Sequence, residues 1–168
     1  ASGQGSLKYN TTGGYNTAVG YGSMKYNTTG ERNNAFGVQS MIYNTTGGNN
    51  TASGFQSLKS NTTGSNNTSV GHQSLNSNTT GARNTGTGYQ AAYTTTTGND
   101  NTSIGYEAGN VITTGSQNVT IGSGSDPSAV AASNQIVVGY SAVGHGDNIA
   151  VIGNTDMTAW HPADDGGV

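Results

Sequence analysis

Small, apolar and polar positions recur in one fixed order every 17 residues along most of the chain. Each unit has a short β-branched or small stretch that ends at a glycine, followed three positions later by serine or alanine. The glycines that mark the repeat after Gly3 are Gly20, Gly37, Gly54, Gly71, Gly88, Gly105, Gly122, Gly139 and Gly153. Only the last interval, of 14 residues, is shorter than the period. This period predicts a stack of similar coils rather than a globular core.

Within one unit, the residues predict extended chain. Seventeen residues are too few for a helix-turn-helix repeat, and the glycine, asparagine and threonine content opposes helix. We predict two short strands per coil, one before the glycine and one after it, as at residues 55–58. Leu58 and the residue directly before each glycine, such as Val70, are expected to line the interior. The asparagine and glycine of each Asn-Thr-Thr-Gly segment, as at 61–64, are expected to turn the chain with left-handed backbone angles.

Stacked coils of this kind give an all-β, parallel β-roll or β-solenoid, about 43 Å tall if nine coils rise by about 4.8 Å each. Adjacent small and apolar residues before the glycine, as at Ala18-Val19, indicate a strand that is covered on both faces. A thin roll covers only one face, so we predict a homotrimeric rod in which other copies cover the second. The roll is expected to occupy residues 1–153, with an atypical loop at 123–133. The tail at 154–168 is expected to cap or leave it.

Composition and charge narrow the functional classes. The 168 residues include 28 glycines and no cysteine, and only 8% are charged. Five Lys and Arg residues in a chain of net charge −3 give no basic patch, so no nucleic-acid partner is predicted. No apolar run approaches the roughly 20 residues of a membrane span, so no membrane insertion is predicted. The absence of cysteine excludes disulfides and cysteine-ligated metal sites.

Several of these segments resemble known repeats. The segment 148–153 reads Asn-Ile-Ala-Val-Ile-Gly, and 118–122 and 101–105 are shorter versions of it. They resemble the YadA-like head repeat of trimeric autotransporter adhesins. The Tyr-Asn-Thr-Thr-Gly segments at 9–13 and 26–30 are also similar to repeats of bacteriophage tail fibres. The resemblance implies a left-handed parallel β-roll with three chains to a head, which binds other surfaces and catalyses no reaction.

The favoured interpretation is a structural or attachment segment of a trimeric extracellular or virion fibre, above all a phage tail fibre. Its predicted partners are two further copies of itself and a host cell-surface glycan or protein. The alternative is the head of a trimeric autotransporter adhesin on a bacterial cell surface. A further alternative is an ice-binding β-solenoid, because threonines recur in every unit. Adjacent threonines such as Thr62 and Thr63 would, however, point to opposite faces of an extended strand.

Candidate chemistry is sparse. No Gly-x-Ser-x-Gly elbow and no set of nucleophile, base and orienting group is present, so the chain is not predicted to be an enzyme. The three histidines, His72, His145 and His161, have no partner at ligand spacing, and no metal or cofactor is predicted. The repeated Asn-Thr-Thr triplets match the glycosylation sequon. We interpret them as stacked side-chain hydrogen-bond ladders, because a repeat copies any sequon that it contains.

Aromatic residues give the candidate contact sites. The position after the repeat glycine holds Tyr89, Tyr106 and Tyr140, which are candidates for stacking on a receptor glycan, with packing between chains as the other interpretation. Trp160 in the tail is either a plug across the end of the trimer or a receptor contact. Gly22 interrupts a column of glutamines, and its coil is expected to be softer than the others.

Overall fold

The computed structural model describes residues 1–157, which form nine three-residue strands in one parallel sheet whose spatial order is the chain order. The strands are β1 (Thr17–Val19), β2 (Asn34–Phe36), β3 (Thr51–Ser53), β4 (Thr68–Val70), β5 (Thr85–Thr87), β6 (Thr102–Ile104), β7 (Val119–Ile121), β8 (Ile136–Val138) and β9 (Ala150–Ile152). Residues 17 apart are paired, as Ala52 with Ser69, until β9, where Val137 pairs with Val151. The predicted parallel β-solenoid is confirmed, with about eight turns. Trp160 and His161 lie outside the described residues.

Each coil contains one strand, so the prediction of a second strand at residues 55–58 is wrong. This segment is a turn in which Gln56 and Leu58 have left-handed backbone angles, with φ of 52° and 51°. Left-handed residues break the alternation of a strand, and Ser57 and Leu58 therefore both point into the solenoid although they are neighbours. Their amides remain paired: the Leu58 N–H donates to Ser74 O at 3.0 Å.

The interior is narrow and is filled by two columns of side chains. One column is the middle residue of each strand, such as Ala52, and the other is the methionine or leucine at the turn, such as Met41 and Leu58. Val70 is 40% exposed in the single chain, so the expectation that the residue before the glycine lines the interior is wrong. A three-residue strand points only its middle side chain inward, and both flanking side chains point outward.

The repeat glycines have the backbone role that the sequence predicts. Gly54 has φ of 140°, which side chains of L-residues rarely adopt, and a Cβ atom on it would lie 2.6 Å from the carbonyl carbon of Gly71. The prediction for the Asn-Thr-Thr-Gly turn is wrong in one respect, because neither Asn61 nor Gly64 has a positive φ. The left-handed residue of this corner is Asn66, with φ of 61°.

Two asparagine ladders run along the solenoid, which confirms the structural interpretation of the triplets. In the first, Asn61 Nδ2 donates to Asn44 Oδ1 at 2.7 Å and to Gly64 O at 2.9 Å. In the second, the Asn67 amide N–H donates to Asn50 Oδ1 at 2.8 Å. The asparagines of both ladders are fully buried over the central coils. Buried amide groups need hydrogen-bond partners, and the ladders supply them.

The first ladder ends at a mismatched residue, which gives a stability prediction. Thr95 occupies the next position after Asn78, and Asn78 Oδ1 and Thr95 Oγ1 are both buried without a hydrogen-bond partner. Thr95→Asn is expected to extend the ladder and to raise the free energy of unfolding by about 1–2 kcal/mol, because an unsatisfied buried polar group costs about that much. Urea unfolding measures the change. Thr97→Asn, at an exposed position, is the control, and equal effects of the two substitutions would contradict the ladder argument.

The atypical loop at 123–133 is organised by a side chain from the following corner. Gln135 stands in the asparagine column, and its Nε2 donates to Ser128 Oγ at 2.7 Å while its Oε1 accepts from the Ser128 N–H at 3.0 Å. Partial burial raises the pKa of the Asp126 carboxyl above its usual range. The Gln135 side chain therefore holds the loop, while the Gln135 N–H still donates to Asn118 Oδ1 at 3.1 Å and continues the second ladder.

Candidate binding surfaces

The outward face of the sheet is formed by the first and third residues of each strand. Its third-residue column contains Val19, Phe36, Ser53, Val70, Thr87, Ile104, Ile121, Val138 and Ile152. Neither column holds a charged residue in any of the nine strands. Towards the C-terminal end the first-residue column also becomes aliphatic, with Val119 and Ile136. We call this strip the outward sheet face, and it is an uncharged surface that follows the whole length of the described solenoid.

The aromatic column after the glycines forms a continuous stack on the flank of the solenoid. The rings of Phe55, His72, Tyr89 and Tyr106 lie 5.1 Å apart between successive centroids, with interplanar angles of 8° to 17°. Both faces of Tyr89 are thus covered by its neighbours, and it offers a ligand only its ring edge and hydroxyl. Tyr106 is followed in the column by Ser123, so one of its faces has no aromatic neighbour in the next coil.

The structure brings Tyr89 and Tyr106 together but places Tyr140 apart. Tyr140 lies two coils beyond Tyr106 and is 72% exposed. It lines a cavity of about 620 Å³ near the end of the described residues, together with Val143 and Asn154. The nearby Glu107 carboxylate raises the pKa of the Tyr106 hydroxyl. The candidate residues on this flank therefore form two separate aromatic surfaces, one made by Tyr89 and Tyr106 and the other by Tyr140.

A second aromatic stack carries the only lysine pair in adjacent coils. Tyr9, Tyr26 and Tyr43 stack at 5.3 and 5.7 Å. Lys25 Nζ lies 4.9 Å from the centroid of the Tyr26 ring, and Lys8 Nζ lies 5.2 Å from that of Tyr9. The Tyr26 hydroxyl raises the pKa of the Lys25 ammonium group. Lys25 is consequently positively charged at neutral pH.

Glutamines form a third ladder between the aromatic column and the turn. Gln56 Nε2 donates to Gln39 Oε1 at 2.7 Å, and Gln73 and Gln90 continue the same pattern. Gly22 takes the place of glutamine in the coil before Gln39, and Gly5 does so one coil earlier. The missing side chains leave a hollow of about 470 Å³. Its lining residues are Gln4, Gly5, Ser6, Lys8, Tyr21, Gly22, Lys25, Gln39 and Ile42.

The sequence marks Gly22 as an irregular position but does not predict a site beside it. The signal was present, since two glycines interrupt the glutamine column in adjacent coils, and lysines stand three residues after each of them. The significance of this spacing depends on the turn, which brings Lys25 back beside Gly22. The sequence predicts a strand at this turn, and the hollow does not follow from that prediction.

The described residues contain little other chemistry. No group of three or more His, Asp or Glu side chains in residues 1–157 is placed to hold a metal ion. His72 lies within the aromatic stack. Arg83 forms an exposed ion pair with Asp100 at 2.6 Å, and this contact lowers the pKa of the Asp100 carboxyl. Within the same residues there is no helix long and apolar enough to cross a membrane.

Comparison with protein-family models, curated proteins and solved structures finds no match to this chain. Functional interpretation therefore depends on the surfaces of the solenoid itself.

Proposed function

We propose that the chain is a rigid segment of a homotrimeric extracellular or virion fibre, of the kind found in phage tail fibres, that projects toward or binds a host surface. The observation that carries the proposal is the outward sheet face, which is uncharged along nine strands and has an apolar residue at the third position of every strand except those that end at Ser53 and Thr87. Nine strands of three residues give a strip of about 400 Å². Exposed apolar patches of a few hundred Å² on a single chain are often functional.

The repeat favours a second copy of the chain as the partner of this face. A partner must present apolar groups at the spacing of the coils, about 4.8 Å, over the full length of the strip. Another copy in parallel register has this spacing because it has the same sequence. Closed symmetry then gives every copy the same contacts. The number three comes from the resemblance to YadA-like heads.

The mass of the purified chain in solution tests this proposal. Light scattering is expected to give three times 16.9 kDa for the wild type. Ile121→Asp, which adds a charge to the outward sheet face, is expected to shift the mass to 16.9 kDa, because an unpaired carboxylate cannot be buried in a dry interface. Tyr15→Asp is the control, since Tyr15 is 83% exposed and lies at the corner where Asp100 is found in a later coil. A monomeric wild type would overturn the proposal.

One observation supports ice binding as a second candidate. The first-residue column of the sheet holds Thr17, Thr51, Thr68, Thr85 and Thr102 on the outward face, with Asn34 in the second strand. The Asn-Thr-Thr threonines are used differently, since Thr62 Oγ1 donates to Thr79 O at 3.0 Å. The aliphatic strands β7 to β9 oppose this candidate, because they continue the face without threonine. A monomer that shows thermal hysteresis would favour it over the fibre.

A further inference from the structure

The hollow beside Gly22 contains the side-chain amide of Gln39, a hydrogen-bond donor that has no acceptor within the glutamine ladder. In the glutamine ladder, each Nε2 donates to the Oε1 of the preceding coil. The same orientation directs Gln39 Nε2 toward the coil of Gly22, which has no side chain to accept the bond. An amide nitrogen at the end of a ladder is a donor that a ligand can use.

Two lysines add positive charge to the same hollow. Lys8 and Lys25 both line it, and they lie one coil apart. The ion pairs found within residues 1–157 join Arg32 to Glu31 and Arg83 to Asp100, so neither lysine has a carboxylate within ion-pair distance in this part of the chain. Two ammonium groups one coil apart repel each other. Two ammonium groups and an amide nitrogen together form a set of donors that suits an oxyanion.

The other walls of the hollow suit a sugar ring. Tyr21 is 56% exposed, and its column neighbours are Gln4 and Val38, so no aromatic ring of the adjacent coils covers its faces. The apolar C–H face of a pyranose packs on such a ring. Ile42 also lines the hollow and adds an apolar contact. The volume of about 470 Å³ lies within the range of small-ligand sites, roughly 300–1,000 Å³.

We propose that this hollow binds an acidic monosaccharide unit. Its carboxylate or sulfate group accepts hydrogen bonds from Lys8, Lys25 and Gln39, and its ring packs on Tyr21. The hollow is lined by residues that follow the repeat glycine in each coil, such as Tyr21 after Gly20, and not by residues of the strands. It is formed within one chain. The proposal deepens the attachment role of the fibre and rests on that role for its biological meaning, but the site itself needs no trimer.

Titration of D-glucuronate and D-glucose 6-sulfate, followed by NMR chemical shifts, tests the site directly. Both acidic sugars are expected to bind, and neutral D-glucose at least tenfold more weakly. Lys25→Gln is expected to weaken the binding of glucuronate about tenfold, as for the loss of a hydrogen bond to a charged group. Lys59→Gln is the matched control, because Lys59 stands in the same column two coils later and does not line the hollow.

Gly22→Gln places a side chain in the hollow at a position whose backbone suits glutamine. Gly22 has φ of 65°, close to the 56° of Gln39 and the 52° of Gln56, and a Cβ atom there would make only ordinary contacts with Ile42, at 3.7 Å, and Gln39. The variant is expected to extend the glutamine ladder, to retain or raise the midpoint of thermal unfolding, and to lose glucuronate binding. Unchanged binding in this folded variant would overturn the proposal.

The remaining outcomes separate the ligand classes. Inorganic phosphate that binds as tightly as glucuronate would reduce the site to a simple oxyanion contact and overturn the sugar assignment. A tetraglutamate peptide that binds equally well would overturn it in favour of an acidic protein segment. Failure of both acidic sugars to bind would overturn the proposal whatever the mass of the sample, and light scattering of that sample tests the trimer separately.

Discussion

Gly71→Ala is expected to lower the free energy of unfolding by about 4 kcal/mol or more, which is a large loss for a single methyl group. Gly71 has φ of 132°, a region of high energy for any residue with a side chain. The added Cβ atom would also lie 2.7 Å from the carbonyl carbon of Gly88 in the next coil. Neither backbone can move away, because the Gly88 N–H donates to Val70 O at 2.8 Å. The backbone strain at residue 71 and the steric clash with Gly88 therefore both destabilise the variant.

Gly14→Ala is the matched control for this substitution. A Cβ atom on Gly14 would have no neighbouring atom within 4 Å, and its φ is not positive. Ala82 stands at the equivalent position of a later coil. We expect this variant to be neutral or slightly stabilised, since alanine restricts the unfolded chain more than glycine does. Equal loss of stability in both variants, measured by urea unfolding, would show that the backbone geometry at Gly71 is not what requires glycine.

The features that could be predicted from the sequence are those that depend on the period alone. A residue repeated every 17 positions must meet its own copies when coils stack, whatever path the chain takes between them. The parallel sheet, the repeat glycines and the asparagine ladders follow from this relation. Asn61 meets Asn44 for that reason, and its partner could be named before the shape of the coil was known.

The path within a coil could not be predicted in the same way. It depends on left-handed angles at non-glycine residues such as Gln56, Leu58 and Asn66, which side chains of this kind rarely adopt. Pairing with adjacent coils holds them there, as when the Gln56 N–H donates to Val38 O at 3.0 Å. Propensity describes isolated residues, and here the hydrogen bonds of the stack override it.

The candidate sites could be predicted only in part, because they too depend on the path of the chain within a coil. The aromatic column was visible as a column, but the covering of both faces of Tyr89 by its neighbours depends on the rings being parallel. The hollow was not visible, because Lys8, Gly22 and Gln39 come together only through the turn. The predicted contact at Trp160 lies outside the described residues and stays a prediction.

Asn61→Asp is expected to lower the free energy of unfolding by about 3–5 kcal/mol at pH 7, although the two side chains have nearly the same shape. The side chain of Asn61 is fully buried. Its Nδ2 donates to Asn44 Oδ1 and Gly64 O, and aspartate would place a charged oxygen against both acceptors. The ladder therefore requires an amide that donates on one side and accepts on the other. Asn66→Asp, at an exposed corner residue, adds the same charge without entering a ladder and is the control.

The pH dependence of the same variant identifies the cause. Burial raises the pKa of the new carboxyl in the folded state above the ordinary value of about 3.9, because only one of its two oxygens retains a donor, Asn78 Nδ2. Between the ordinary pKa of the unfolded state and the raised pKa of the folded state, the folded protein binds more protons than the unfolded one. The free energy of unfolding therefore falls as pH rises through that window. Below that window the carboxyl is neutral and its O–H can donate to one of the two acceptors. Much of the loss of stability relative to wild type is therefore expected to be reversed. Urea unfolding at pH 4 and pH 7 measures this, and an equal loss at both would assign the effect to shape rather than to charge and lost donors.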